Sequence, residues 1–337
     1  MKIIIPMAGM GKRMRPHTLT IPKPLIPIAG KPIVQRLVEE IASVSKEKID
    51  EINFVIGDFG DEVIGQLSEV AKQAGAKVKF FTQEKPLGTA HAVLCAAPSL
   101  NGKVVVAFAD TLFKADFILD DSSDAIIWVS HVKDPALFGV IKLNDNNVVT
   151  DFIEKPKVFV SDLAIIGIYY FQNGEKLKNE LQYLVDHDVL VNGEYQLTDA
   201  LENMKNKGTQ FKISRVNEWL DCGNKNATVY TNQRILEHNR TEQLVSASAI
   251  IENSIVNEPC FIGENVEIRN SVIGPYLSVG NNTKINNSLI KNSIIQSNTL
   301  IDDLNIENSM IGNYVEIKGE VSEVNIGDFT SISNSHN

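Results

Sequence analysis

Apolar positions along the first 110 residues alternate between two spacings. Short continuous apolar runs predict buried strands, and apolar residues three or four positions apart predict helices that bury one face. The strand runs cover residues 3–6, 51–56, 78–81 and 104–107, and the helical spacings cover residues 32–45, 62–74 and 89–97. This alternation of strand and helix predicts a doubly wound, mostly parallel sheet.

The middle of the chain is richer in strand patterns. Strands are predicted at residues 125–132, 139–143, 148–153, 164–171 and 211–216, and helices at residues 174–185, 198–207 and 226–239. We therefore expect the α/β class, with a Rossmann-like, doubly wound mixed sheet in a first domain of residues 1–240.

The apolar period changes after residue 245. Asn, Ser, Gly and Thr now separate single aliphatic residues that recur every five or six positions, at Ile262, Ile268, Ile273, Val279, Ile285, Ile290, Ile295, Ile301, Ile306, Ile311 and Ile317. One inward aliphatic per near-hexad predicts a parallel β-helix with three short strands per coil, whereas a β-sandwich would alternate with period two. Asn and Gly also tolerate the positive φ of tight corners. We expect about four coils over residues 245–330, ended by an irregular cap at residues 319–324.

Composition and charge exclude several classes of protein. The chain has 337 residues with 43% hydrophobic and 22% charged, as in ordinary globular domains. The net charge of −10 argues against a nucleic-acid partner. No apolar run approaches the ~18–20 residues that a membrane helix needs, and the N-terminal residues lack a signal-peptide cleavage site. Three scattered cysteines indicate reduced thiols, so we expect a cytoplasmic protein with no membrane partner.

Positive charge is concentrated at the N-terminus. The first 31 residues contain no Asp or Glu but carry Lys2, Lys12, Arg13, Arg15, Lys23 and Lys31. A glycine-rich turn after the first strand brings backbone N–H groups close to phosphates. Gly11-Lys12 is followed by Arg13, so the turn does not match the P-loop pattern, and it is not GxGxxG either. Arg13 and Lys23 could clamp a triphosphate across the Pro-rich bend; the alternative is a solvated basic loop.

The run from Gly9 to Pro32 resembles the opening of the sugar-1-phosphate nucleotidyltransferases, the family of glucose-1-phosphate thymidylyl- and uridylyltransferases. The family pattern is GGxGTRLxPxT followed by KPLxP; here Ala8 stands for the first Gly and Lys12 for the Thr. Further segments similar to family motifs follow in order at residues 83–90, 109–111, 138–140, 154–156, 164–167, 193–199 and 219–223. The resemblance covers residues 1–240, and the C-terminal repeats match long-form members that carry a left-handed β-helix.

The resemblance implies a set of site residues. Nucleotide-binding positions are Ala8, Gly9, Gly11, Lys12, Gln83, Pro86, Gly88 and Thr89. Sugar-phosphate-binding positions are Gly139, Glu154, Lys155, Ile165 and Gly167. The catalytic residues implied are Arg13, for the leaving pyrophosphate, and Lys23, for the sugar phosphate and the α-phosphate. Thr111 stands where relatives often have Asn.

The chemistry of this family brings two anions together. A sugar phosphate attacks the α-phosphorus of a nucleoside triphosphate and pyrophosphate leaves, so catalysis is mostly positioning and charge neutralisation. The attacking phosphate is already ionised near pH 7 and needs no general base. Mg²⁺ takes one or two carboxylates plus phosphate oxygens. Asp110, just past a strand end, and Asp221, in a Trp-x-Asp-x-Gly turn, are the metal ligands we expect.

Several alternatives stay open at this point. An inactive regulatory homologue would be expected to lose its basic residues or aspartates, yet Arg13, Lys23, Asp110 and Asp221 all persist. A β-helix acyltransferase commonly uses a histidine base, and there is none between His238 and His336.

Gln83 with Gly88 suggests a pyrimidine base, and mannose-1-phosphate guanylyltransferase is the alternative. We expect a homo-oligomer built through residues 245–330, and some activity after removal of the chain beyond residue 242.

Overall fold

A computed structural model describes residues 1–9, 11–319 and 324–333. The elements that precede the repeats are, in chain order, β1 (Lys2–Pro6), β2 (Pro27–Ile28), β3 (Lys31–Pro32), α1 (Ile33–Val44), β4 (Glu51–Ile56), α2 (Gly60–Gln73), β5 (Lys77–Thr82), α3 (Thr89–Leu94), β6 (Val104–Ala107), β7 (Thr111–Lys114), β8 (Ala125–His131), β9 (Gly139–Leu143), β10 (Val149–Glu154), β11 (Leu163–Phe171), α4 (Gly174–Asp186), α5 (Leu197–Asn206), β12 (Phe211–Arg215), β13 (Glu218–Asp221) and α6 (Lys225–His238).

The chain forms two compact units. Residues 1–9 and 37–219 form the sheet unit, and residues 10–36 and 220–337 form the β-helix unit. The domain boundaries predicted at residues 240 and 245 come from the change of sequence period, and they stay a prediction.

The sheet unit is built on nine strands in a mixed sheet. The main path is β10-β9-β11-β6-β1-β4-β5, and β8 pairs with both β11 and β12. The pairs β1–β4, β1–β6, β4–β5 and β8–β12 are parallel. The pairs that β11 makes with β6, β8 and β9 are antiparallel, as is β9–β10.

The predicted α/β class and mixed sheet are confirmed. Fewer of the strand pairs are parallel than the alternation of strand and helix patterns in the sequence suggested. Parallel neighbours need a long crossover, and helices supply one between β1, β4 and β5. Only the turn at residues 144–148 lies between β9 and β10, so these strands return antiparallel. The short strands β2, β3, β7 and β13 were not predicted, because two to four residues carry too little periodicity.

The core of the sheet unit surrounds β6, β8 and β11. Trp128, Tyr170 and Phe171 are buried on these strands, and Leu177 and Leu201 pack on them from α4 and α5. Strands buried on both faces read as continuous apolar runs, which is why their bounds were predicted to within about a residue.

The repeats form fifteen short strands among the described residues: β14 (Ile250–Glu252), β15 (Ile255–Val256), β16 (Cys260–Ile262), β17 (Glu267–Arg269), β18 (Val272–Ile273), β19 (Leu277–Val279), β20 (Lys284–Asn286), β21 (Leu289–Lys291), β22 (Ile294–Ile295), β23 (Leu300–Asp302), β24 (Asn305–Glu307), β25 (Met310–Ile311), β26 (Glu316–Lys318), β27 (Asn325–Ile326) and β28 (Ser331–Ser333). Three parallel sheets result: β14-β17-β20-β23-β26-β28, β15-β18-β21-β24 and β16-β19-β22-β25-β27.

The predicted left-handed β-helix is confirmed. All eleven aliphatic residues of the near-hexad pattern, from Ile262 to Ile317, lie in its buried core. Eight corner asparagines have positive φ, and side-chain bonds such as Asn265 to Asn282 and Asn282 to Asn298 join residues 17 and 16 positions apart.

The coil extends further than the four turns expected. One sheet has six strands among the described residues, and β27 and β28 continue two of the sheets after the predicted cap. Residues 320–323 of that cap lie outside the described residues.

The helices are short compared with a membrane span, which needs about 20 apolar residues. Within residues 1–9, 11–319 and 324–333, none of them has the length and apolar character that a bilayer crossing demands. The cytoplasmic location predicted from composition stays a prediction.

Candidate active site

The basic loop, residues 11–26, is a chain of three short 3-10 helices at Lys12–Met14, His17–Leu19 and Lys23–Leu25. Gly11 begins it at φ +54° and accepts bonds from Met14 N (2.8 Å) and Thr18 Oγ1 (2.9 Å). Burial of Met14 turns Lys12 and Arg13 outward, where both are exposed. The loop therefore presents cations on a folded backbone rather than on a solvated tail.

Lys23 lies beside the start of the loop. A Cβ placed on Gly11 would come within 3.1 Å of Lys23 Cβ and 3.0 Å of Thr18 Cγ2, so a side chain there would have to displace these neighbours, and the φ of +54° also favours glycine. The structure thus brings the backbone of Gly11 together with Lys23. The clamp of Arg13 and Lys23 on a triphosphate stays a prediction.

The end of the loop is anchored by a buried arginine. Arg36 donates from Nε to Ile28 O (2.6 Å) and from Nη2 to Ala29 O (2.7 Å). Ala29 N donates to Asn232 Oδ1 of α6 (3.0 Å). Hydrogen bonds to a buried charged group are stronger than neutral ones, so this anchor limits movement of the preceding loop.

Asp221 ends β13 in a tight turn. Its Oδ1 accepts the N–H of Gly223 (2.9 Å), and its carbonyl accepts Thr231 Oγ1 from α6 (2.7 Å). The turn thus holds a half-buried carboxylate at a fixed place in the β-helix unit.

Four loops of the sheet unit share one edge. The adjacent strands β5, β4, β1 and β6 run parallel, so their carboxyl ends lie together. Ala8 and Gly9 follow β1, Gln83 follows β5, and Asp110 follows β6 after Phe108. Ligands of doubly wound sheets bind outside the carboxyl ends of the strands.

Backbone bonds hold the loop before α3. Ala90 N donates to Tyr195 O and Tyr195 N donates to Leu87 O, each at 2.9 Å. Gly88 has φ +111°, and a Cβ there would lie 2.5 Å from Tyr195 O. Gln83 Nε2 lies 3.4 Å from Gly88 O and 3.1 Å from His91 Nδ1. Gln83 and Gly88 are therefore neighbours, whereas Pro86 is exposed.

A cleft of ≈ 180 Å³ opens beside this loop. It collects five predicted residues, of which four were assigned to the sugar phosphate and one to the nucleotide: Gly139, Glu154, Ile165, Gly167 and Thr89. A Cβ on Gly139 would lie 3.1 Å from Glu154 Oε2, so glycine keeps the cleft open there. Lys155 is exposed and is not among the lining residues; its Nζ lies 3.6 Å from Glu154 Oε1.

Two carboxylates give this part of the sheet unit its electrostatic character. Glu154 Oε2 accepts a long bond from Thr198 Oγ1 (3.4 Å). Burial, together with the charge of Glu154, raises the pKa of Asp199, whose buried Oδ2 has no hydrogen-bond partner among the described residues. Burial and Glu154 also raise the pKa of Tyr169, which lines the cleft. The cleft thus offers acceptors for hydroxyl groups.

Thr111 is engaged within the sheet unit. Its Oγ1 accepts Trp219 Nε1 at 2.6 Å, and the Trp219 ring meets Phe138 edge-on at 4.9 Å. This bond fixes Thr111, the residue after Asp110. Asp110 itself is half-buried.

Sequence reasoning missed some lining residues of the cleft: Phe108, Leu137 and Tyr169. Phe108 stands directly before Ala109-Asp110, and its N–H donates to Gly167 O (2.9 Å), but an isolated aromatic after a strand carries no local signal for a binding role. Gln196, Leu197 and Thr198 lay inside a quoted motif without an assigned role.

The carboxylates suit Mg²⁺ in chemistry, since it prefers oxygen ligands. Among the described residues no group of three or more His, Cys, Asp or Glu could hold a metal ion. Asp110 and Asp221 as ligands of Mg²⁺ stay a prediction.

Comparisons with known proteins agree on one kind of enzyme. The model of the family described as nucleotidyl transferase matches residues 2–238. The bifunctional protein GlmU of Methanococcus vannielii is 34% identical over 330 residues, which cover 95% of this chain and 73% of that protein. Glucose-1-phosphate thymidylyltransferase of Streptomyces griseus is 28% identical over 346 residues, which cover 94% of this chain and 93% of that protein.

Solved structures share the fold. UDP-glucose pyrophosphorylase in complex with UDP-glucose has a TM-score of 0.57 at 23% identity, and the match covers 70% of this chain and 98% of that chain. A putative glucose-1-phosphate thymidylyltransferase from Bacillus anthracis, in complex with a sucrose, has a TM-score of 0.58 at 22% identity and covers 68% and 93%.

Proposed function

We propose, from the premise that this chain belongs to the nucleotidyl transferase family, that it transfers a pyrimidine nucleotide from dTTP or UTP to glucose 1-phosphate. The general activity, nucleotidyl transfer to a sugar phosphate, is the one that the similar proteins carry out. The choice of base and sugar is our proposal.

The observation that carries the proposal of a pyrimidine is the pairing of Gln83 with Gly88. The side-chain amide of Gln83 lies 3.4 Å from the Gly88 carbonyl, and the Gly88 backbone is fixed by the contacts around Tyr195. A side-chain amide beside a fixed peptide can read the O4/N3 edge of thymine or uracil. The two bases differ by one methyl group, worth only ~1–3 kcal/mol in a pocket.

The cleft supports a neutral, hydroxyl-rich ring as the second substrate. Glu154 and the Tyr169 and Thr198 hydroxyls place acceptors and donors around a space that Gly139 and Gly167 keep open. Glucose 1-phosphate is our default among the sugar phosphates with such a ring.

Arg13 and Lys23 supply the charge that the reaction needs. A phosphate oxygen of the sugar phosphate forms a bond to the α-phosphorus as the bond to pyrophosphate breaks. We assign Arg13 to the departing pyrophosphate, because a planar guanidinium holds two oxygens at once. We assign Lys23, a compact charge, to the sugar phosphate and the α-phosphate.

We further propose that Asp110 and Asp221 would hold Mg²⁺ with the substrate phosphates. When bound, the ion would neutralise charge that develops on the phosphate oxygens. The turn that holds Asp221 and the bond that fixes Thr111 next to Asp110 would keep both carboxylates in place.

The test is a panel of five nucleoside triphosphates against several sugar 1-phosphates, assayed as pyrophosphate release. The expected best pair is dTTP or UTP with glucose 1-phosphate. A clear preference for GTP with mannose 1-phosphate would overturn the pyrimidine assignment, and release with no pair would favour the inactive regulatory homologue.

The homo-oligomer expected from the sequence is also a proposal. The face β15-β18-β21-β24 exposes an aliphatic row in register, with Ile255, Val272 and Leu289 at 59%, 37% and 45% exposure. A contiguous apolar row suits self-association. Light scattering should give a mass above one chain, and Leu289→Lys should lower it; a monomeric native protein would contradict the proposal.

A further inference from the structure

The β-helix face formed by β16, β19, β22, β25 and β27 is partly covered by other segments of the chain. The aliphatic row on the neighbouring face is exposed instead. Phe261, Ser278, Ile294, Met310 and Asn325 lie in register along β16, β19, β22, β25 and β27. Within the β-helix unit, a Cβ on Gly30 would meet the Phe261 ring at 2.2 Å, and Ser278 Oγ donates to Asn232 Oδ1 of α6 (2.7 Å). The segment that follows the basic loop therefore packs on β16, and α6 packs on β19.

The last coil, residues 324–333, contacts the basic loop itself. His17 Nε2–H donates to Asn325 Oδ1 at 2.8 Å, and Thr20 Oγ1 donates to Asp328 Oδ2. A Cβ on Gly327 would lie 2.9 Å from Pro16 Cβ. Pro16, His17 and Thr20 of the loop thus contact the last coil, at Gly327, Asn325 and Asp328 respectively.

The last coil is a firm support for these contacts. Backbone bonds tie it to the preceding coil through Met310 N to Val324 O (3.2 Å) and Gly312 N to Ile326 O (2.8 Å). Asp328 Oδ1 also accepts Asn313 N at 2.6 Å, so the carboxylate that holds Thr20 is itself fixed.

The contact depends on hydrogen bonds more than on apolar packing. An open cavity of ≈ 430 Å³ separates parts of the two segments, with Pro16, Leu19 and Thr20 on one side and Asn325, Gly327 and Asp328 on the other. Leu19 is 65% exposed. His17, by contrast, is 1% exposed, so its end of the bond to Asn325 is shielded from water, whereas Asn325 itself is exposed.

A short path joins this contact to the two cations. Thr18, between His17 and Thr20, donates to Gly11 O (2.9 Å), and Gly11 packs against Lys23 Cβ. Arg13 lies in the first 3-10 helix, whose Met14 N bonds back to the same Gly11 carbonyl (2.8 Å). Movement of residues 16–20 would therefore displace both proposed catalytic residues.

We propose that the last coil of the β-helix positions the basic loop for nucleotidyl transfer, with Asn325 and Asp328 as positioning residues. The inference rests on the proposed roles of Arg13 and Lys23. It makes the β-helix part of the transferase machinery, whereas the sequence suggested only assembly or regulation. A loop held 1 Å out of place can cost about 10²-fold in rate, so an anchor of this kind affects turnover.

The test uses full-length protein with Asn325→Ala, Asn325→Asp and Gly327→Ala. Alanine removes the acceptor for His17, aspartate keeps an acceptor oxygen there, and the added methyl at residue 327 pushes on Pro16. Asn305→Ala is the matched control, because Asn305 also begins a short strand and is also exposed, but it lies on the face that carries the aliphatic row. Thermal unfolding checks that each variant is folded.

Two readouts separate positioning from general stability. Hydrogen exchange of the amides of Met14, Leu19, Leu25 and Ile26 reports on the loop, because each donates within it. We expect these amides to exchange about fivefold to tenfold faster in Asn325→Ala and Gly327→Ala, as expected for loss of one hydrogen bond. kcat/KM for the nucleoside triphosphate should fall about tenfold in both. Asn325→Asp and Asn305→Ala should stay within about twofold of the native protein.

Native exchange and native kcat/KM in both Asn325→Ala and Gly327→Ala would overturn the proposal. Faster exchange with unchanged kcat/KM would also overturn it, since the coil would then hold the loop without effect on transfer. If the native protein releases no pyrophosphate with any substrate pair, the proposed function fails, and the exchange data alone still decide whether the coil holds the loop.

Discussion

Two loops that carry predicted site residues, one in each unit, are held by different means. The loop at Gly88 is fixed by main-chain bonds to Tyr195 and by a close approach that only glycine permits. The basic loop has main-chain bonds within its own short helices, but it is tied to the last coil by side chains, through His17 and Thr20. Main-chain support survives most side-chain substitutions, whereas side-chain support is lost with a single residue.

This contrast matches the chemistry of each loop. The Gly88 loop, which we propose reads the base, would need one rigid peptide geometry, and backbone bonds supply it. The basic loop, which we propose holds the triphosphate, would also have to release pyrophosphate, and its Lys12 and Arg13 are exposed. We expect substitutions to reveal the difference, in order of decreasing effect.

Removal of either cation from the basic loop should have the largest effect. Arg13→Ala and Lys23→Ala should each lower turnover by about 10²-fold, comparable to loss of one transition-state donor. The fold should persist, because both residues lie on a loop. Arg15→Ala, an exposed cation of the same loop, is the control and should change turnover less than about threefold. Steady-state kinetics decide; near-native rates in both variants would remove these residues from the mechanism.

The Gly88 loop should be the more sensitive of the two to a single added methyl group. Gly88→Ala must move Tyr195, and we expect kcat/KM to fall more than tenfold with a lower melting temperature. Gly75→Ala is the control, because Gly75 also has positive φ (+68°) but a Cβ there has nothing within 4 Å. Equal losses in the two variants would show that backbone strain, and not the contact with Tyr195, is responsible.

The carboxylates should affect metal dependence rather than folding. Asp110→Asn and Asp221→Asn should each raise the half-saturating Mg²⁺ concentration about tenfold and lower the maximal rate. Asp145→Asn, in the exposed turn between β9 and β10, should leave the Mg²⁺ titration unchanged. An unaltered titration in the first two variants would mean that these aspartates only hold their turns.

The smallest effect expected is a pH dependence of the basic loop. Burial lowers the pKa of His17, against opposing contributions from its bond to Asn325 and the charge of Asp328. Its Nδ1 is buried without a hydrogen-bond partner in the described residues, so a second ring proton would find no acceptor. Below about pH 6.5 the unfolded chain therefore binds a proton that the folded chain does not, and stability falls as pH falls.

The measurement is urea unfolding at pH 7.5 and 5.5. His17→Gln keeps a side-chain N–H donor but does not titrate, so it should lose less stability between the two pH values than the native protein. Identical losses would show that His17 does not contribute to the pH dependence.

The local pattern of apolar and polar residues was enough to predict most elements of the fold. The near-hexad aliphatics of residues 262–317 and the asparagine corners specify a β-helix from within, because each coil buries its own row. The bounds of β4 and β6 were predicted to the residue, since strands buried on both faces show their length in the sequence. The site motifs around Gly88 and Asp110 were assigned through their resemblance to a known family; in the structure Gly88 lies directly before α3 and Asp110 directly before β7.

Tertiary structure alone decided the pairing of distant segments. The antiparallel return of β11, the lining of the cleft by Phe108 and Tyr169, and the bond between His17 and Asn325 all join residues with no shared local period. His17 and Asn325 are 308 positions apart, and neither stands out in its own segment. Hydrophobic periodicity reports which face of an element is buried, but which neighbour covers that face depends on the packing of the whole chain.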